Sequence, residues 1–150
     1  MRVFPQLSDL AAEQGQLLGT SSWLAMSQSR IDLFADATGD HQWIHTDPER
    51  TQAELGQSTI AHGYLTLSLI PRFMEEILRV ESATRIINYG AERIRFLNMV
   101  PVEARVRGAI TLRRADLKDG CLRTNCEIAV EIEGADKPAL VAEVIMLFYE

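Results

Sequence analysis

The 150-residue sequence has little cysteine, little basic charge and no long apolar run, and each shortage excludes a class of protein. The two cysteines, Cys121 and Cys126, lie in a segment that alternates like a β-strand, at a spacing that should turn their side chains to opposite faces. We therefore expect buried free thiols. A net charge of -6 argues against broad nucleic-acid binding, which requires a basic surface. No window approaches the roughly 18 uninterrupted apolar residues of a transmembrane helix, so no membrane partner is expected either.

The rest of the composition is typical of a folded globular protein. Hydrophobic residues make up 47% of the chain and charged residues 24%, which indicates neither disorder nor a fibrous repeat. The opening stretch MRVFPQLSDLAAEQG lacks the apolar core and the cleavage site of a signal peptide, so the expected compartment is the cytoplasm. A chain of this length can bury most of its surface in one domain, and we assign residues 1–150 to a single domain.

Helix signals dominate the first third of the chain. The segment up to Gly19 is helical in character, with Ser8 or Asp9 as its cap, and TSSWLAMS follows as a short strand candidate. A helix is predicted over residues 28–38, where apolar side chains recur every three or four positions, and Gly39 is a suitable stop.

A second pair of signals follows directly. Asp47 precedes Pro48, and this order is typical of a helix start, because the carboxylate accepts free amides and proline suits the first helical position. This short helix should end near Gly56.

The longest apolar helix is predicted over residues 61–80, AHGYLTLSLIPRFMEEILRV, and its apolar character indicates a buried position. Pro71 removes a backbone donor within it, so we expect a kink about one turn earlier.

Strand periodicity dominates the second half. Alternating or doubly apolar runs cover residues 84–98, 102–113, 122–132 and 139–149, and Gly90 marks a β-bulge. The last run is apolar on both faces, as in a central or partner-covered strand. Consecutive antiparallel strands that pack against helices form an α+β fold, and a sheet wrapped around one apolar helix is one such arrangement.

The polar stretch FADATGDHQWIHTDPER contains the first candidate site. Asp40 and His45 are spaced so that neither a regular helix nor a strand would bring them together. They can converge only if the backbone between Gly39 and Pro48 is irregular. A carboxylate beside an imidazole can fix its tautomer and hold a water for proton transfer. The alternative is that Asp40 caps a turn and that His45 is simply packed.

The three histidines of the chain raise a second question. His41, His45 and His62 together with a carboxylate have the composition of a zinc site. However, a pair of histidines four residues apart binds a metal well only on a continuous helix, which glycine and proline disfavour here. We therefore predict no metal site, and His41 becomes a bystander.

The stretch IAHGY contributes a further candidate. Gly63 falls at the start of the predicted apolar helix, where amides lack intrahelical partners and the helix dipole favours negative charge. An oxygen that gains charge in a reaction would be stabilised there. The alternative is that Gly63 only permits close packing or a turn.

Taken together, these motifs resemble the MaoC-like, or hydratase 2, family of R-specific enoyl-CoA hydratases and dehydratases. The family pattern is close to G-D-x-N-P-[IL]-H-x-D-P followed by [IV]-[AV]-H-G-[MLF]-L, and this chain contains GDHQWIHTDP and IAHGYL. The later RIRFLNMVPVEARVRG is similar to the family strand that carries R-F-x-x-P-V. The resemblance covers about residues 20–150 and implies the hot-dog fold, an antiparallel sheet wrapped around a long central helix.

The resemblance also implies roles. Asp40 and His45 would be the catalytic pair that holds one water, and the amide of Gly63 would bind the thioester oxygen. The substrate would be an acyl-CoA or an acyl-carrier-protein thioester, no metal or redox cofactor would be required, and the chain would form a homodimer. Trp43, His62 and Tyr64 are candidates for the substrate pocket, although large apolar side chains near a buried helix are usually core.

The chain departs from the family pattern at three positions. Gln42 and Trp43 replace the usual asparagine and proline, a variant that looks most like the nodulation-protein-N-like branch. Pro71 stands where some hydratases have a small hydroxyl residue. Two alternative functions therefore remain: a hot-dog acyl-thioesterase, and a non-catalytic protein that binds acyl thioesters. The basic side chains at 93, 95, 105 and 107 would either meet coenzyme A phosphates or form a solvated strand face.

Overall fold

The computed structural model describes residues 1–150 and contains six helices and eight strands. The helices are α1 Leu7–Ala11, α2 Gln28–Thr38, α3 Trp43–Thr46, α4 Pro48–Leu55, α5 Gly63–Ser68 and α6 Ile70–Ile77. The strands are β1 Arg2–Phe4, β2 Leu17–Thr20, β3 Leu24–Ala25, β4 Leu78–Val80, β5 Arg85–Phe96, β6 Arg105–Lys118, β7 Cys121–Ile132 and β8 Leu140–Tyr149. None of the helices combines the length and the apolar character that crossing a bilayer requires.

The main sheet is antiparallel and has the order β2-β6-β7-β8-β5, with β3 also paired to β6. The apolar strand β8 lies between β7 and β5, so of the two predicted positions, central or partner-covered, it has the central one. Strand β5 forms one edge of the sheet and is exposed along nearly its whole length. A register shift between Asn88 and Gly90 confirms the predicted bulge.

Helix α6 packs on the inner face of the sheet. Phe73 on α6 is fully buried, and it lies so close to β6 that a Cβ atom on Gly108 would stand 2.7 Å from the Cβ of Phe73. Glycine at this position therefore sets the distance between helix and sheet. The buried side chains of both layers form one core cluster of 29 residues, which confirms the predicted α+β arrangement.

The predicted helix over residues 61–80 is wrong in its length. It is divided at Leu69 into α5 and α6, and Pro71 lies in the first turn of α6, as the predicted kink requires. The helix ends at Ile77, because Leu78–Val80 leaves it to pair as β4 with β1 in a small parallel sheet. The alternating burial of these residues fits a strand.

The predicted N-terminal helix is also wrong in part. Only Leu7–Ala11 is helical, and residues on both sides of it form β1 and β2. The residue that precedes α1 is Gln6, and Asp9 lies within its first turn. The Asp9 carboxylate accepts a hydrogen bond from the backbone amide of Gln6, at 2.9 Å. The strand expected in TSSWLAMS is reduced to Leu24–Ala25.

The alternation of the later strands is confirmed. On β6 and β7 one set of side chains is buried and the other faces outward. Both cysteines are free, as predicted, but only Cys126 is buried, whereas Cys121 is partly exposed.

Candidate active site

The segment between α2 and α4 is irregular, and local capping makes it so. Helix α2 ends at Gly39, which adopts a left-handed conformation with φ of 77°. The carboxylate of Asp47 accepts the amide of Arg50 at 2.9 Å and starts α4 at Pro48, as predicted. Between these two points the chain makes a short non-helical stretch and then the single turn α3, which carries His45.

His45 is buried and has a defined tautomer. Its Nδ1 atom lies 2.7 Å from the carbonyl oxygen of Ile60. A carbonyl can only accept, so Nδ1 carries the proton and the Nε2 atom of the neutral ring has a free lone pair. The backbone of His45 is fixed as well, since Gln28 Nε2 donates to its carbonyl at 2.8 Å. Thr59 in turn donates to the Gln28 side chain.

The environment of His45 favours the neutral ring. Burial lowers the pKa of His45 below the 6.5 of an unperturbed imidazole, and the neighbouring His62 ring lowers it further. The hydrogen bond to Ile60 and the Asp40 carboxylate act in the opposite direction. Because burial dominates, Nε2 is unprotonated at neutral pH and can accept a proton.

The structure brings Asp40 next to this histidine. One ligand-type atom from each of Asp40, His45 and His62 lies within 4.8 Å of the other two. Asp40 is exposed, and its backbone carbonyl lies 2.9 Å from Nε2 of His62. The irregular segment therefore produces the convergence that regular spacing would prevent.

These three residues include the donor types of a zinc site, but the rings are poorly oriented for one. The imidazoles of His45 and His62 are stacked, with centroids 3.9 Å apart and planes inclined by 30°. Zinc binds an imidazole nitrogen in the plane of the ring at about 2 Å, and the planes of two stacked rings do not meet at that distance. The arrangement is better suited to proton transfer than to coordination.

An apolar cavity of about 310 Å³ adjoins His45. Its lining residues are His45, Ile60, Ala61, Gly63, Thr66, Phe96, Leu97, Asn98, Met99, Val100 and Ala139. Gly63 is the first residue of α5, and a Cβ atom on it would stand 2.9 Å from the ring of Phe96. An alanine side chain at this position would therefore overlap the Phe96 ring. Gly63 lines the cavity, and as the first residue of α5 its amide has no intrahelical partner.

Comparison with known proteins agrees with this arrangement. The model of the MaoC like domain family matches residues 9–134. The chain belongs to the MaoC-like family. It is 46% identical over 149 residues to 3-hydroxyacyl-thioester dehydratase Z of Mycobacterium tuberculosis, with 99% of each chain covered. It is also 42% identical over 144 residues to nodulation protein N of Rhizobium leguminosarum bv. viciae, covering 94% of this chain and 89% of that protein.

Solved structures give the same fold. An R-hydratase from Pseudomonas aeruginosa superposes with a TM-score of 0.75 at 21% identity, covering 97% of this chain and 86% of the other. This likeness shows the hot-dog fold. The family match and the dehydratase relative show a hydro-lyase of the hydratase and dehydratase type, and the similarity to nodulation protein N fits the branch expected from the sequence.

The three candidate pocket residues of this MaoC-like chain lie outside the cavity lining. Trp43 packs against Arg50, and the guanidinium carbon of Arg50 lies 4.4 Å from the centroid of the Trp43 ring. Tyr64 is exposed beside Phe96, with ring centroids 5.7 Å apart. His62 is only 2% exposed and stacks behind His45.

The sequence did not predict that residues 96–100 form a wall of the cavity. Residues 96–100 and Ala139 line it, and they reach His45 only through tertiary contacts. The motif RFLNMVPV was a signal for this segment, because it ends a strand in a run that resembles the family. Two backbone contacts hold the wall in place: the amide of Ala61 donates to Val100, and Leu97 donates to Ala139.

The remaining polar candidates are not part of the cavity lining. His41 is exposed and lies 3.8 Å from Asp36. Three of the four candidate arginines pair with glutamates on the sheet, in the pairs Arg93–Glu143, Arg105–Glu133 and Arg107–Glu131. Arg95 instead donates to the carbonyl of Ile94. Most of these cations therefore belong to a paired strand face.

Proposed function

We propose that the protein catalyses the reversible, R-specific hydration of trans-2-enoyl thioesters, with Asp40 and His45 acting on one water. The observation that carries this proposal is the free Nε2 lone pair of His45, whose ring lies near the Asp40 carboxylate and at the wall of an apolar cavity. The named dehydratase relative supports a 3-hydroxyacyl thioester as the partner substrate.

In the proposed reaction a hydroxyl group and a hydrogen add to the two carbons of the double bond. His45 Nε2 and the Asp40 carboxylate hold the water and remove one proton as its oxygen bonds to the β carbon. A proton is returned to the α carbon, so that one water adds across the double bond. Negative charge develops on the thioester oxygen, and the Gly63 amide donates to it. Dehydration is the same path in reverse.

This chemistry requires little beyond the chain itself. The thioester acidifies the α position, and hydration leaves the oxidation state unchanged, so the proposal involves no metal or redox cofactor. The acyl carrier, coenzyme A or an acyl-carrier protein, lies outside the cavity in this scheme.

The test is hydration of crotonyl-CoA, followed by the loss of enoyl absorbance. Wild type should consume the substrate, whereas Asp40→Asn and His45→Gln should each lose at least about a hundredfold in kcat, a typical contribution of a general base. Asp36→Asn and His41→Gln are matched controls, because they make the same chemical changes on the exposed neighbouring pair. Full activity in Asp40→Asn and His45→Gln would contradict the assignment.

The same assay separates the alternatives. A thioesterase would release a free thiol, which a thiol reagent detects, without forming a hydroxyacyl product. Helix α5 carries no acidic side chain that could serve a thioesterase there, because the first acids after Gly63 are Glu75 and Glu76 on α6. A non-catalytic protein would bind crotonyl-CoA without consuming it. Chromatographic analysis of the product on a chiral phase tests the R configuration.

We also propose that the protein forms a homodimer through β5. This strand is an edge with unpaired backbone groups, and its exposed apolar residues include Ile86, Ile87 and Tyr89. Pairing of β5 with a second copy would cover these side chains and extend the wall that begins at Phe96.

Analytical ultracentrifugation tests this interface. Ile87→Glu places a charge on the proposed contact and should give monomers, while Leu33→Glu, at an exposed apolar position on α2, should leave the dimer intact. A wild type that sediments as a monomer, or an Ile87→Glu variant that stays dimeric, would contradict the proposal.

A further inference from the structure

His62 lies behind the catalytic pair and outside the cavity. Its ring is packed between Phe34, with ring centroids 5.0 Å apart, and His45, with centroids 3.9 Å apart. Because it is 2% exposed and absent from the cavity lining, it has no route to a substrate bound there. Any contribution to the reaction must pass through its neighbours.

The hydrogen bond of His62 reaches a backbone position that little else holds. Nε2 of His62 must donate to the Asp40 carbonyl, which can only accept. The other hydrogen bonds of residues 39–42 are local, joining positions no more than five apart, such as the Asp40 amide with Thr38 Oγ1 at 3.4 Å. The His62 bond spans 22 residues and is the one that fixes this segment to the start of α5.

The second nitrogen of His62 has no such partner. Nε2 donates to the Asp40 carbonyl, whereas Nδ1 is buried without a hydrogen bond. Such an atom requires an explanation in a folded protein. The orientation that satisfies the Asp40 carbonyl is kept although it leaves Nδ1 unpaired, which indicates that the bond to Asp40 sets the position of the ring.

We propose that His62 is a positioning residue, which holds Asp40 against His45 through its hydrogen bond to the Asp40 carbonyl. Without that bond, the exposed segment after Gly39 would be free to carry the carboxylate away from Nε2 of His45. This inference rests on the proposed hydratase function for its catalytic consequence, but the placement of Asp40 can be measured separately.

Two substitutions separate the bond from the ring. His62→Phe keeps a flat ring between Phe34 and His45 but cannot donate. His62→Gln loses the stack but keeps an amide donor that can reach the Asp40 carbonyl. We expect His62→Phe to lose about 10–100-fold in kcat on crotonyl-CoA, as for other supporting groups behind a site, with KM changed less than about twofold. His62→Gln should recover most of that loss.

Equal losses in the two variants, full activity in His62→Phe, or a KM effect larger than the kcat effect would overturn the proposal. A KM effect larger than the kcat effect would mean that His62 contacts the substrate. Circular dichroism and thermal unfolding of both variants establish that the fold is retained, and His62→Gln still tests the proposal if His62→Phe does not fold.

A readout without turnover uses the three histidines of the chain, whose ring signals can be titrated by NMR. The charged or titratable groups that face His45 are Asp40 in the loop and His62 at the start of α5, while Asp32 on α2 binds Gln28. Asp40→Asn should lower the pKa of His45 in wild type and in His62→Gln at low ionic strength, and should lower it less in His62→Phe.

An equal change in all three backgrounds would show that His62 does not hold the carboxylate. This result can be obtained even if the protein hydrates no enoyl thioester, so failure of the positioning role and failure of the proposed function are distinguishable.

Discussion

Gly63→Ala tests the contact between the start of α5 and the wall of the cavity. The added Cβ atom would stand 2.9 Å from Cδ1 and 3.0 Å from Cε1 of Phe96. Carbon atoms in good contact lie about 3.5–4.0 Å apart, so the ring has to retreat by at least about 0.6 Å. Phe96 is 47% exposed and can move.

This substitution should change the stability little and the catalytic rate much more. Overpacking usually costs about 1–3 kcal/mol, and the cost should be at the lower end because the ring is free to swing. Alanine regains part of the roughly 1 kcal/mol that glycine costs a helix. The melting temperature should therefore change by no more than about 2–4 °C. A misplacement near 1 Å can cost about 100-fold in rate, so kcat/KM should fall about 10–100-fold.

The assay is crotonyl-CoA hydration beside thermal unfolding. Ala53→Ser is the control, because it also adds one heavy atom, but at an exposed position on α4 that lies outside the cavity lining. If the effect is steric, Gly63→Ala should cost less than about twofold when Phe96 is already alanine, since the two changes then share their partner. Wild-type kinetics in Gly63→Ala, or an equal loss in both backgrounds, would show that contact with Phe96 does not control the rate.

Three further predictions concern the stability of the fold and the reactivity of its cysteines. Gly108→Ala should destabilise the fold by about 2–3 kcal/mol, measured by urea unfolding, because its Cβ atom would meet the fully buried Phe73 at 2.7 Å, and an unchanged midpoint would contradict this packing. The pKa of His45 is lowered in the folded protein, so its contribution to the free energy of unfolding is complete above pH 6.5 and is lost as the pH falls through the folded pKa. His45→Gln should therefore reduce the loss of stability between pH 6.5 and lower pH. An unchanged dependence of stability on pH would be evidence against a buried neutral ring. Burial raises the pKa of the Cys126 thiol to about 11, so a thiol reagent at pH 8 should modify only Cys121 in the folded protein and both cysteines after unfolding, whereas two fast thiols would contradict the burial of Cys126.

Local signals in the sequence were sufficient for much of the fold. The helix over residues 28–38 has its capping serine before it and glycine after it, and it forms with those bounds. The strands β6 and β7 alternate clearly because one face is buried in the core and the other meets solvent. Gly39 and Pro48 interrupt regular structure, and they identified the segment in which Asp40 and His45 could meet.

Long-range pairing explains what the sequence did not reveal. Residues 78–80 continue an apolar helical pattern, yet they form a strand because β1, more than 70 residues earlier, offers a partner. The same limit applies to the candidate site. The cavity wall at residues 96–100 and the bond from His62 to the Asp40 carbonyl depend on how distant segments meet, and no local spacing records that.

Joint action of Asp40 and His45 on one water can be measured by a double-variant cycle on crotonyl-CoA hydration. Residues that act as a unit lose nearly the whole effect when either is removed. The Asp40→Asn, His45→Gln double variant should therefore have a kcat close to that of the slower single variant. Losses that multiply in the double variant would contradict joint action, because they would mean that the two side chains contribute independently.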